Sequence, residues 1–185
     1  MLFKKTVTAF MGQFFYIIIG LLGNSVLSKL LGPTAIGKLG VVMVFVTVSC
    51  IVVEGGFGGA LIQKKQAESK DYSTVFIFNI IVGFFIMIVL FLISDIIASF
   101  YSEPLLSKIL KTLCIIPLLI SFQVSSNARL IREMRFKERA LYKLVSLSIT
   151  TLIAIIMACN GFGIWSYVLL VVLNPFLLSL LLFNR

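Results

Sequence analysis

Six runs of about twenty apolar residues limit what this chain can become. A helix of roughly that length crosses the hydrocarbon core of a bilayer. The runs fall at 7–31, 39–62, 73–94, 105–127, 140–159 and 164–183. Backbone in lipid must satisfy its hydrogen bonds within its own segment, so each run is expected to be a helix. Charged residues lie in clusters between the runs and make up 12% of the 185 residues, whereas 60% are hydrophobic. A soluble fold of this length cannot bury so much apolar surface. The expected class is therefore all-α and integral to the membrane: one domain over 1–185, built as a six-transmembrane-helix bundle. Short connections predict consecutive helices as antiparallel neighbours. The first run is too long for a signal-peptide core and lacks a small-residue cleavage site, so it is expected to remain as a span.

Composition also removes several chemistries. The sequence has no histidine, which excludes His-based acid–base catalysis, His-containing triads and His-ligated metal sites. Cys50, Cys114 and Cys159 lie far apart inside apolar runs, without CxxC spacing, and are expected as core thiols. No catalytic residue, metal or cofactor is expected. The net charge of +9 sits beside membrane spans rather than in a nucleic-acid-binding patch, so nucleic acid is not an expected partner and membrane lipids are. With the N-terminus inside, twelve of the sixteen basic residues fall on the inner side, and Lys29, Lys38, Lys108 and Lys111 fall outside. The bias of basic residues toward the cytoplasm then places both termini there.

Within the runs, the informative residues are those that lipid rejects. Gln13, Tyr16, Gly20, Asn24 and Ser28 recur at helical spacing and line one face of the first helix. That face either packs against another helix or faces a hydrated cavity. Glu54 stands about eight residues, or about 12 Å at 1.5 Å per residue, from the inner end of the second run. A carboxylate there is costly unless protonated, paired or hydrated. It reads either as a coupling group for protons or cations, or as a partner for the glycine-rich segment that follows. Pro117 and Asn174-Pro175 lie near the middles of the fourth and sixth runs, where each proline frees a carbonyl and bends the helix. A packing kink is the simpler reading, and a hinge or cavity-lining position, with Asn174 facing the cavity, is the functional one. Segment 129–143 holds six basic residues against Glu133 and Glu138. Topology and anionic headgroups account for its charge. The functional alternative has Arg129, Arg132 or Arg135 attracting a substrate pyrophosphate, since guanidinium matches phosphate geometry.

An ordered set of short segments resembles the polysaccharide transporter family, the flippases of lipid-linked oligosaccharides, within the multidrug and oligosaccharidyl-lipid/polysaccharide exporter superfamily. The segments are LGPTAIGKLG at Leu31–Gly40, EGGFGGALIQ at Glu54–Gln63 followed by Lys64-Lys65, FYSEP at Phe100–Pro104, Arg129 with Arg135-Phe136-Lys137, and GFGIWSYV at Gly161–Val168. The resemblance implies a bacterial inner-membrane protein that moves undecaprenyl-pyrophosphate-linked sugar repeats outward for O-antigen (lipopolysaccharide), capsule or exopolysaccharide synthesis. It also implies alternating access between two helical lobes around a cationic cavity. Family members carry twelve or more spans, so this chain resembles an N-terminal lobe and reads as an N-terminal fragment. Its expected partners are the lipid-linked oligosaccharide and either a missing C-terminal lobe or a second copy. The alternatives are a small-molecule or drug exporter of the same superfamily, a membrane enzyme of polysaccharide synthesis, which the short outer loops oppose, and a structural assembly partner.

Overall fold

The computed structural model describes the backbone of residues 2–55, 61 and 69–183, and side chains from 11 onward within that range, except at 69. The described residues form helices and turns. The helices are α1 (Leu2–Leu31), α2 (Pro33–Glu54), α3 (Ser69–Phe100), α4 (Pro104–Leu113), α5 (Ile116–Arg132), α6 (Phe136–Cys159) and α7 (Ile164–Phe183). Among the described residues, six stretches are long and apolar enough to cross a membrane: Met11–Leu31, Pro33–Glu54, Lys70–Phe100, Pro104–Arg132, Phe136–Cys159 and Ile164–Phe183. The chain is a multi-pass, all-α membrane protein.

Local chemistry sets the helix ends. Gly32 adopts φ +79° and its N–H reaches back to the Ser28 carbonyl, which closes α1, and Pro33 then opens α2 with its missing N–H at a position that needs none. The second helix therefore starts at Pro33, ahead of the apolar run that opens at Leu39. Gly161, at φ +83°, ends α6 in the same manner. Ser102 and Met134 hold left-handed conformations at φ +53° without being glycine. There the N–H groups of Glu103 and Arg135 bond the carbonyls of Ala98 and Leu130, so the turns after α3 and α5 are held by backbone hydrogen bonds.

The fourth span is two helices. Proline cannot donate a backbone hydrogen bond, and its ring crowds the carbonyl one turn earlier. The helix accordingly stops at Leu113 and restarts at Ile116, which leaves Pro117 in the first turn of α5, where proline is tolerated. Pro175, by contrast, lies inside a continuous α7.

The described chain divides into two compact units: residues 1–36 with 129–185, and residues 37–128. In the first unit α1 packs on α6 through glycine. A Cβ added at Gly12 would come within 2.6 Å of the Ala140 Cβ, one at Gly23 would collide with the Thr151 methyl, and one at Gly20 would meet Leu147 at 3.8 Å. Both series ascend together, so the first and fifth spans run parallel. Small side chains let the two backbones approach, which raises dispersion contact where lipid supplies no hydrophobic drive. Near the far end of α1, Leu27, Ala154 and Leu170 bury against one another. Neighbouring α6 and α7 are antiparallel, as short connections predict. The partner of α1 in this unit, however, is a helix far along the chain, chosen by the glycine face.

In the second unit α3 lies antiparallel to α5. Ser125 Oγ donates to the Tyr72 carbonyl at 3.2 Å, the Phe76 and Phe122 rings lie 5.9 Å apart, and Gly83 faces Ser121 and the Pro117 carbonyl. Helix α4 is amphipathic, burying Leu106, Ile109, Leu110 and Leu113.

Candidate functional site

In the first unit the stripe on α1 splits into two neighbouring faces. Tyr16 and Gly20 are partly buried on the side that meets α6, whereas Gln13 and Asn24 are exposed and Ser28 is partly buried. Ser28 Oγ donates to its own helix, at the Asn24 carbonyl (2.7 Å). Packing therefore accounts for Tyr16 and Gly20, and Gln13 and Asn24 remain as polar side chains on an open face.

Tyr16 has a further neighbour. The Lys143 ammonium lies 5.9 Å from the centroid of its ring, within reach of attraction between a cation and the negative face of an aromatic ring. Lys143 stands seven residues into α6, about 10 Å at 1.5 Å per residue, and is half-buried. One turn further, fully buried Ser146 donates toward the carbonyl oxygen and the side-chain oxygen of Asn174, at 2.8 and 2.7 Å. Asn174 is thus held at the α6–α7 contact, an interhelical bond of the kind that joins membrane helices.

The arginines at the α5–α6 corner carry carboxylate partners. Arg135 grips Glu138 with two bonds of 2.8 Å and reaches Glu133 at 3.3 Å. Arg129 bonds Glu133 at 3.0 Å. Hydrogen bonds from Arg129 and then Arg135 hold the Glu133 carboxyl below its ordinary value of 4.5, because each favours the ionised form. Arg132 closes α5 and also has an interaction partner. The three arginines share one corner, and at least two of them already meet carboxylates before any phosphate arrives.

In the second unit, Glu54 is the last residue of α2, with an exposed side chain. Its expected depth came from counting to residue 62. Most of the glycine-rich segment, 56–60 and 62–63, lies outside the described residues, as do Lys64 and Lys65. At the opposite end of this unit, Lys38 bonds Glu103 at 2.8 Å, joining the LGPTAIGKLG and FYSEP segments. Close by in sequence, Lys111 bonds both Asp95 oxygens at 2.8 Å, and Ser107 adds a third bond at 2.6 Å.

One buried polar residue escaped the sequence reading. Asn79, in the middle of α3, is only 1% exposed, and neither atom of its amide has a hydrogen-bond partner among the described residues. It shares the arc of α3 that carries Tyr72, Phe76 and Gly83, and so turns toward α5, where Ser121 and Ser125 are buried. The criterion that selected Gln13 and Asn24, a polar side chain among apolar ones, could have found it in FIFNIIVG. Lys143 could have been found because it follows Ala140 by three residues and precedes Leu147 by four on the same helix. Among the described residues, no group of acidic, cysteine or histidine side chains could hold a metal ion.

Comparison with known proteins adds the following. A family model described as "Polysaccharide biosynthesis protein" matches residues 26–185. The succinoglycan biosynthesis transport protein of Rhizobium meliloti (strain 1021) is 27% identical over 144 residues, covering 76% of this chain and 28% of that protein. A membrane protein from the cps region of Klebsiella pneumoniae is 24% identical over 180 residues, 95% of this chain and 37% of its own length. A lipopolysaccharide biosynthesis protein of Escherichia coli (strain K12) is 24% identical over 120 residues, 65% of this chain and 24% of that one. The chain thus spans between 24% and 37% of the length of these relatives. No solved structure matches it.

Proposed function

The chain belongs to the polysaccharide biosynthesis protein family, whose model covers residues 26–185, and from that membership we propose that it is part of a transporter that moves a lipid-linked oligosaccharide across the bacterial inner membrane by alternating access. The family match, together with six stretches among the described residues that are long and apolar enough to cross a membrane, is the observation that carries this reading. The R. meliloti relative is named for transport in succinoglycan biosynthesis, and the E. coli relative for lipopolysaccharide biosynthesis, which supports a saccharide cargo. The substrate would be an undecaprenyl-pyrophosphate-linked repeat unit, handled without covalent chemistry.

Both termini would lie in the cytoplasm, as the distribution of basic residues favours. Alternating access needs two walls, so the second would come from a C-terminal lobe or a second copy. Gln13 and Asn24, exposed on α1, would line the hydrated face. Glu54 would couple transport to a proton or cation, since an acidic group at a membrane helix end can exchange either. Arg129, Arg132 and Arg135 would meet lipid headgroups at the corner, with Glu133 and Glu138 moderating their charge.

The test is flipping by the protein expressed from its complete reading frame. It would be reconstituted in vesicles with a radiolabelled undecaprenyl-pyrophosphate oligosaccharide, and an impermeant glycosidase would report the exposed sugar. Active protein exposes nearly all the label and Glu54→Gln leaves the inner-leaflet share protected. Protection of that share by the wild-type protein as well would overturn the transport reading, and full exposure by Glu54→Gln would remove Glu54 from it.

A further inference from the structure

The contact between α3 and α5 encloses an amide that nothing around it serves. Asn79 is 1% exposed, and neither atom of its amide has a hydrogen-bond partner among the described residues. A polar group buried in this way carries its full desolvation penalty. Its neighbours on α3 fix its level. Phe76, three residues earlier, packs on Phe122 of α5. Gly83, four residues later, lies against Ser121, where an added Cβ would stand 3.0 Å from the Ser121 Cβ and 3.1 Å from its Oγ. Ser121 thus stands at the level of Gly83, one helical turn or about 5.4 Å from Asn79 along α3. Its hydroxyl hydrogen is committed to the Leu118 carbonyl at 2.6 Å, so the oxygen is left to accept a bond through its lone pairs.

The two halves of the fourth span are held to α3 differently. Helix α4 is pinned. Lys111 bonds both Asp95 oxygens at 2.8 Å, Ser107 bonds the same carboxylate at 2.6 Å, and four apolar side chains of α4 are buried. Helix α5 meets α3 through the smooth surface of Gly83, the Phe76–Phe122 ring pair and the 3.2 Å bond from Ser125 to the Tyr72 carbonyl. Between the halves, the helix stops at Leu113 and restarts at Ile116, and Pro117 has no N–H to return to the Leu113 carbonyl.

That break supplies slack of the right length. A residue advances the chain by about 1.5 Å in a helix and about 3.3 Å when extended. Drawing out residues 114–116 therefore lengthens the connection by about 5.4 Å, one turn. Cys114 and Ile116 are buried, so backbone opened there stays within protein rather than lipid, where it is tolerated. Because α3 and α5 are antiparallel, lengthening the break moves α5 toward the N-terminal end of α3, and so carries Ser121 from Gly83 to Asn79. Pro117, one turn earlier on α5, then takes the place of Ser121 against Gly83, which has no side chain to obstruct it.

We propose that α5 has a second register on α3, displaced by one turn, in which Asn79 Nδ2 donates to Ser121 Oγ. One-turn steps of a packed element past its neighbour are a known form of conformational switch, because interlocked surfaces have discrete registers. The second register pairs the buried amide, but it gives up the Ser125–Tyr72 bond and one turn of helix, and it is the less populated of the two. The unpaired amide of the first register keeps the second within thermal reach. The device lies inside one helical unit and does not depend on the transport reading.

The experiment is double electron–electron resonance on the protein expressed from its complete reading frame, in nanodiscs, with its native cysteines changed to serine. Spin labels at Lys108 on α4 and Ser126 on α5 report the length of the break. The wild-type protein should show a main distance and a smaller population about 5 Å longer, whereas labels at Lys108 and Ile88 on α3 should show one distance. Asn79→Leu and Ser121→Ala should each lower the ratio of the longer to the shorter population about tenfold, the loss of one buried hydrogen bond. Pro117→Ala restores an N–H to the break and should lower the ratio as well. Thermal unfolding checks that each variant is folded, and Ser121→Ala tests the pairing without filling the position of the amide. A single Lys108–Ser126 distance in the wild-type protein overturns the second register, and so does a longer population that Asn79→Leu and Ser121→Ala leave unchanged. A single distance joined to a lower melting temperature for Asn79→Leu overturns it in favour of a water held by the amide.

Discussion

The contact between α1 and α6 and the contact between α3 and α5 use the same device to different ends. Each has glycine against a neighbouring helix: Gly12 and Gly23 in the first, Gly83 in the second. The first joins two continuous helices and seals into the buried group of Leu27, Ala154 and Leu170. The second joins a continuous α3 to the restarted half of a broken span, and it buries the Asn79 amide without a hydrogen-bond partner among the described residues. Close backbone approach alone therefore does not make a contact inert. What separates them is the polar content enclosed, since an amide shut away from water carries a penalty that a methyl does not.

The largest expected effect breaks the first contact. Gly12→Leu places a branched side chain where even a Cβ would be 2.6 Å from the Ala140 Cβ. The unfolding free energy in detergent should fall by about 3 kcal/mol, the upper part of the range for overpacking. Gly12→Ala should be milder and should recover when combined with Ala140→Gly. An unchanged melting temperature for Gly12→Leu would show that α1 is not held by this contact.

The second contact should respond in the opposite direction. Asn79→Leu replaces the unpaired amide by an apolar group of similar volume and is expected to raise stability by about 1–2 kcal/mol. Thermal unfolding of the two variants side by side sharpens the comparison, because one loses stability at a glycine and the other gains it at an amide. A destabilised Asn79→Leu would mean that the amide is satisfied in the membrane, and the two contacts would then differ less than their geometry indicates.

The smallest effect lies outside both contacts, at the corner between α5 and α6. Glu133 is held below its ordinary value of 4.5 by Arg129 and Arg135, so its ionised form is favoured in the fold. Its contribution is complete above the unfolded value and is lost as pH falls from 4.5 through the lower folded value. The gap in melting temperature between wild type and Glu133→Gln should be constant above about pH 5.5, roughly one unit above the unfolded value, and should shrink below 4.5. A gap independent of pH would detach Glu133 from the two arginines.

Much of the fold was legible beforehand, for reasons that particular residues show. The six spans follow from hydropathy because lipid leaves an isolated segment no structure but a helix. Gly32-Pro33 marks a helix boundary that hydropathy placed later, and Pro117 marks the broken span. Asn174 and Tyr16 were visible as polar residues among apolar ones, but their partners were not. Ser146 and Lys143 reach them from other helices, and spacing along one helix says nothing about which helix lies opposite. Arg129, Arg132 and Arg135 were legible as a basic corner, and the pairing of Arg129 with Glu133 and of Arg135 with Glu138 lies within four and three residues along the chain.

Membrane residence, helix content and some helix ends, such as Leu31, Cys159 and Ile164, were determined by the sequence itself, because they depend on short-range chemistry and on transfer from water to lipid. Tertiary structure decided that the first span lies parallel to the fifth and that Lys143 rests on Tyr16 while Asn79 is shut away. Those outcomes depend on which surfaces interlock across long stretches of chain, and helices that are all apolar leave that choice to the shape of a few glycines.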